Sequence, residues 1–154
     1  MRAITLVTLM TVAGLASLTP RLGNATSTPP VLNEHDLREA CSALSQAGMR
    51  DCLARKVEES QANLKRAEKD VYSRLSKWDE SSRYARMARS NLANSGRAFT
   101  MYRDAQCGFS ASLTGGGAGN AHEIRRLACV AAANGRRAEQ LREAVSDLPI
   151  KSGG

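Results

Sequence analysis

Strand-forming residues are what this chain has least of. Aromatics make up 4% of its 154 positions, as one tryptophan, two phenylalanines and three tyrosines, and β-branched residues are sparse beyond the first twenty positions. A sheet needs such side chains on its faces, so a sheet-based fold is excluded. Histidine is almost as scarce: only His35 and His122 are present, there is no C-x-x-C, and no serine sits on a nucleophile-type turn. That leaves no constellation for acid–base, nucleophilic or metal chemistry, and the chain reads as a non-enzyme without metal or cofactor. A zinc site from Cys107, His122 and Cys129 is the rival reading, and the lone nearby histidine argues against it. The glycine-rich "TGGGAGNAH" lacks the lysine-serine ending of a phosphate loop and follows no strand, so no nucleotide site is expected.

A long apolar run is missing too. The stretch from Ile4 to Leu18 follows Arg2 and is ended by Pro20 and Arg21. It falls short of the roughly 20 residues that span a bilayer, and it precedes the small-residue triplet Gly23-Asn24-Ala25. This is the pattern of a secretory signal peptide over residues 1–25, with cleavage after Ala25. No cysteine lies near that point to carry a lipid, so the mature protein is expected to be secreted or periplasmic and not membrane-spanning. Loss of Arg2 and Arg21 lowers the formal charge from +7 to +5, which is still basic.

What remains is the size of a single domain, and its periodicity is helical. Residues 26–40 read as a flexible Pro/Thr-rich leader and a short helix. From an N-cap at Ser45, apolar residues recur at Met49, Leu53, Val57, Leu64, Ala67, Val71, Leu75 and Trp78, predicting one long helix over 46–78. "DESS" at 79–82 breaks it. A second helix is predicted from Ser82 to Cys107, with Tyr84, Ala88, Leu92, Ser95, Phe99 and Tyr102 on its buried stripe, and a loop over 108–120. The third, from Ala121 to Asp147, carries Leu127, Ala131, Asn134, Ala138, Leu141, Val145 and Leu148 at steps of 4, 3, 4, 3, 4 and 3, a heptad seam. The fold class is therefore all-α: a three-helix up-down-up bundle with a short N-terminal helical appendage, a domain over 41–148 and a disordered tail over 149–154.

Four cysteines in an exported chain predict two disulfides, and three pairings are open. Cys41 lies just before the first long helix and Cys52 two turns inside it. Cys107 and Cys129 flank the glycine-rich segment in the same way. Local pairing, Cys41–Cys52 and Cys107–Cys129, is favoured.

The cysteine frame also carries a resemblance. "MRDCLARKVEESQANLKRA" (49–67), "LANSGRAFTMYRDAQC" (92–107) and "CVAAANGRRAEQL" (129–141) resemble the LprI-type lysozyme-inhibitor family of small secreted bacterial proteins. The most specific positions are Phe99, Tyr102, Arg103, Asp104, Cys107, Gly115 to Gly117, Cys129 and Arg137. Phe99 stands where the family usually has tryptophan, Gly96 where it has glutamine, and Asn134 where it has threonine. Gln61 and Lys65 stand for an aspartate and an asparagine. The resemblance implies a lysozyme as protein partner, with the 108–122 loop and His122 as a plug for a carboxylate-lined cleft. Within "YRDAQC" two readings stay open. Either Arg103 and Tyr102 contact a ligand, or Arg103 pairs within the bundle and Tyr102 packs at its rim.

Charge supports an alternative of another class. Arg83, Arg86, Arg89 and Arg97 fall on one side of the second helix with no acid among them, a positive strip that suits an anionic envelope component. Nucleic acid is not expected as a partner, because the aromatic interleaving of a single-strand binder is missing.

Overall fold

The computed structural model describes residues 30–117 and 119–151. The predicted signal peptide lies outside them. Four helices follow in order: α1 (Glu34–Glu39), α2 (Gln46–Lys77), α3 (Ser82–Ser112) and α4 (Ala121–Glu143). The fold is all-helical, and its one β-type pairing among the described residues is an isolated bridge between Trp78 and Ile150.

The starts of α1 and α2 are capped by side chains. The Asn33 side chain accepts from the backbone N–H groups of His35 and Asp36, and the Asp36 carboxylate accepts from the Asn33 N–H, a capping box that lets so short a helix as α1 form. Ser45 Oγ caps α2 by accepting from Gly48 N at 3.2 Å. Extended backbone at Trp78 ends α2.

α2 and α4 run parallel, with α3 returning between them. Ser60 on α2 meets Asn134 on α4, a separation of 74 residues. The same offset brings Leu53 and Leu127 into one core cluster and Val71 and Val145 into another. Both helices carry the heptad spacing, so layer follows layer along the contact. α4 is buried nearly all round over Leu127–Asn134, where alanines let α1 and α2 approach closely. Every apolar position predicted for α2 and α4 lies in this core or packs at its edge.

The staples are Cys41–Cys52, which ties the α1–α2 turn to α2, and Cys107–Cys129, which ties α3 to α4. Both local pairings expected from spacing are present. With both sulfurs of Cys107 and Cys129 in a disulfide, the rival zinc site has lost its ligands.

Three expectations are corrected. α3 does not end at Cys107 but runs on to Ser112, because Ser110 and Ala111 are buried and Arg125 Nε donates to Ser110 Oγ at 3.2 Å. The connection to α4 therefore spans only residues 113–120. Tyr84 and Tyr102 are not on the buried stripe: they are 49% and 64% exposed, because α3 carries apolar residues on two faces and only the one holding Ala85, Leu92, Phe99 and Cys107 packs inward. The tail is not free from residue 149 on. Asp79 N donates to Pro149 O and Lys151 N to Lys77 O, both at 2.9 Å, while Arg74 Nη2 donates to Ser146 O at 2.7 Å.

Candidate functional site

Two places gather the residues singled out in the sequence. The first is a polar node at mid-bundle. Arg103, on the inner side of α3, donates from Nη1 to Asn134 Oδ1 at 2.9 Å and to Gln61 Oε1 at 3.1 Å. Its Nη2 lies 2.7 Å from Asp104 Oδ1. Asn134 has no exposed surface and donates from Nδ2 to Ser60 Oγ at 3.2 Å and toward Gln61 Oε1 at 3.4 Å. A buried amide in an apolar seam is costly unless its lone pairs and N–H groups are answered, and here α2 and α3 answer them. Phe99 completes the node, with the guanidinium carbons of Arg103 and Arg137 at 5.9 and 5.7 Å from its ring centroid. Arg137 also donates to Ser95 Oγ.

This arrangement bears on the two readings of Arg103. Its side chain is 12% exposed and its donors are engaged inside the bundle, so it welds three helices together. Phe99, Arg103, Asp104 and Arg137, singled out in the sequence as positions of the family pattern, lie around this node. Sequence reasoning missed Ser60 and the pairing of Gln61 with Asn134, although Gln61 and Asn134 both stood out as departures from the family pattern. Gln61 is a neutral acceptor where the pattern has a carboxylate, so Asp104 is the acid that answers Arg103. Tyr102 belongs to the opposite, exposed face of α3.

The second place is the tip formed by residues 113–120. Gly115 and Gly119 hold positive φ, 59° and 70°, which side chains disfavour. Successive turns fold the segment on itself, with Gly115 N donating to Ser112 O at 3.1 Å and Gly117 N to Thr114 O at 3.2 Å. His122, in the first turn of α4, is exposed, and its Nε2 lies 3.1 Å from Gly115 O. Phe109 and Leu113 stand exposed beside it at 59% and 57%. Behind the tip Arg126 holds Glu123 with bonds of 2.6 and 2.8 Å. Those bonds above all hold the Glu123 carboxyl below its ordinary range, with the charges of Arg126 and Arg50 adding and partial burial opposing; the Arg126 guanidinium is raised in turn, chiefly by its bonds to Glu123.

The arginine strip is only partly as predicted. Arg83, Arg86 and Arg97 are exposed, whereas Arg89 is turned toward α2, where it donates to Ser76 Oγ at 3.1 Å and lies 5.5 Å from the Tyr72 ring centroid. Its place on the helix lies nearer the α2 contact than those of the other three, and a hydroxyl and a ring are available there. A groove of about 710 Å³ between α2 and α4, floored by Ser60, Asn63 and Gly135, holds charges of both signs in Lys56, Glu59, Arg66 and Glu139.

A parallel helix pair closed by a return helix, with two local disulfides and a polar node facing inward, defines a small stapled all-helical domain. The chain matches the family model for "Lysozyme inhibitor LprI" over residues 38–141 and belongs to that family. No curated protein and no solved structure gives a significant match. Among the described residues, no helix is long and apolar enough to cross a membrane, and no group of three or more His, Cys, Asp or Glu residues could hold a metal ion.

Proposed function

We propose that the protein is an exported inhibitor that blocks the substrate cleft of a lysozyme with the tip at residues 113–120. The observation that carries this reading is the staple behind the tip. Cys107 and Cys129 join the two helices about one and a half and about two turns below the loop, so a short glycine turn and His122 are presented on a rigid stem. Preorganisation of that kind lowers the entropy lost on binding. A cleft that cleaves glycosides carries two carboxylates, which suit a neutral or basic intruder.

The test is the rate at which a lysozyme clears a bacterial cell-wall suspension in the presence of purified protein. Inhibition should be abolished by deleting Gly115–Gly117 and weakened by His122→Ala, and it should survive Arg83, Arg86 and Arg97→Gln. Wild-type protein without effect on clearance would end the reading.

A second reading has its own observation. Arg83, Arg86 and Arg97 are exposed, and α3 carries no acid before Asp104. In this reading the domain is an envelope adaptor that holds an anionic component through these arginines. Retention on that component should then be lost in the triple glutamine variant, and exposed charges should be screened within about 10 Å at 0.1 M salt.

A further inference from the structure

α3 carries a second seam, pointing to solvent. Tyr84, Met87, Asn91, Asn94, Ala98 and Met101 follow at steps of 3, 4, 3, 4 and 3, and the series continues to Ala105 and Phe109. All eight are exposed. Taking about 100° per residue, they share one side of the helix, spread over roughly 100° and facing away from Leu92, Phe99 and Cys107. Six of the large apolar side chains most exposed in the protein stand on or beside this stripe: Tyr84, Met87, Met101, Tyr102, Phe109 and Leu113. Heptad spacing with apolar ends and an interior asparagine pair is the pattern of a helix that has a helix for a partner.

We propose that the partner is α3 of a second copy, packed antiparallel about Ala98. Turning the helix end for end about that residue puts Met87 opposite Phe109, Tyr84 opposite Ser112 and next to Leu113, Asn91 opposite Ala105 and Asn94 opposite Tyr102. Large residues then meet at both ends, and the alanine lies on the axis, where the backbones come closest. Charge selects the same orientation. α3 has Arg83 in its first turn with no acid there, and no base in its last turn, which is the reverse of what a helix dipole favours. An antiparallel copy brings Arg83 and Arg86 of each chain to the carbonyl end of its partner's α3, answering both ends at once. A parallel pair would stack like charges at one end.

The strip is about 46 Å long, from 31 residues at about 1.5 Å each, and 10–12 Å wide, so it covers on the order of 500 Å² per copy. That is at the lower end of specific interfaces, the size class of weak, reversible association. The two tips at 113–120 would then lie at opposite ends of the pair, each beside the partner copy's two N-terminal arginines of α3. Only this last consequence rests on the inhibitor reading, because self-association is measured by mass alone.

Sedimentation equilibrium of the purified protein across micromolar concentrations should show the average mass rising toward twice the monomer. Met87→Glu and Phe109→Glu should each weaken association at least tenfold with unchanged helical circular dichroism and melting, while Leu44→Glu, an exposed apolar position outside the seam, should not. Arg83→Glu combined with Arg86→Glu should weaken the dimer too. A monomer at every concentration would overturn the proposal, as would a dimer indifferent to Met87→Glu and Phe109→Glu. Tighter association on charge reversal would overturn the antiparallel packing.

Discussion

The Arg103 guanidinium and the Asn134 carboxamide meet at 2.9 Å inside the bundle, and the two residues are not equally replaceable. Remove the asparagine and each partner keeps another bond: Arg103 has Gln61 and Asp104, and Ser60 Oγ donates to Val57 O at 2.9 Å. Remove the arginine and Asn134 Oδ1, fully buried, loses the donor it has. Arg103→Leu should therefore cost about 1–3 kcal/mol in urea unfolding, the range for an orphaned buried polar group, and Asn134→Leu should cost less. The double variant should cost less than the two single costs added. Equal single costs would mean that the asparagine contributes more than partnership to Arg103.

The staples contribute mainly by restricting the unfolded chain. Their sequence separations are 11 for Cys41–Cys52 and 22 for Cys107–Cys129. Loop-closure entropy gives about 3 kcal/mol for each, slightly more for the longer loop. Replacing either pair by serine should lower the melting temperature while leaving a helical circular dichroism spectrum. Loss of the second pair should also weaken lysozyme inhibition, if the stem is what presents the tip.

Glu123 supplies a pH dependence of known sign. Arg126 keeps its carboxyl below the ordinary carboxylate value in the folded protein, so this pair's contribution is fully present above that ordinary value. It is lost as the pH falls through the lowered folded value. Both side chains are more than two-fifths exposed, so screening keeps the effect small. The stability gap between wild type and Glu123→Gln should narrow as the pH drops from about 6 to about 3, as followed by thermal melts. A gap that widens on acidification would contradict the assignment.

Much of this fold was legible because α2 has one apolar stripe and α4 keeps a heptad step from Leu127 to Leu148, even though α4 is buried nearly all round over Leu127–Asn134. α3 was harder for a physical reason. It is apolar on two sides, with Phe99 inward and Phe109 and Met101 outward, and periodicity says that a stripe exists without saying which one meets the core. Its end was misplaced because "GFSAS" is loop-like in composition yet helical once Ser110 and Ala111 are buried. The glycines with positive φ, Gly115 and Gly119, both lie in the connection between α3 and α4. The node was half visible: the family pattern marked Arg103 and Arg137. The meeting of Ser60 with Asn134 depends on the register between α2 and α4, which no local spacing encodes.

The single tryptophan offers a local probe of the chain's C-terminal lock. Trp78 is half-buried against the cluster of Val71, Leu75 and Leu141, and the pairing of Lys77 and Asp79 with Pro149 and Lys151 holds the last described residues across it. Arg74 fastens the same segment by donating to the carbonyl oxygens of Ser146 and Leu148. Arg74→Gln removes charge-assisted bonds to those carbonyls, so stability should fall by about 1–2 kcal/mol. The segment should fray before the rest of the domain, and Trp78 emission should shift to longer wavelength as water reaches the ring. Truncation after Leu148 should produce a similar red shift, because it removes the paired residues themselves. Unchanged emission in both variants would mean that the cluster alone shields Trp78 and that the C-terminal segment is not its cover.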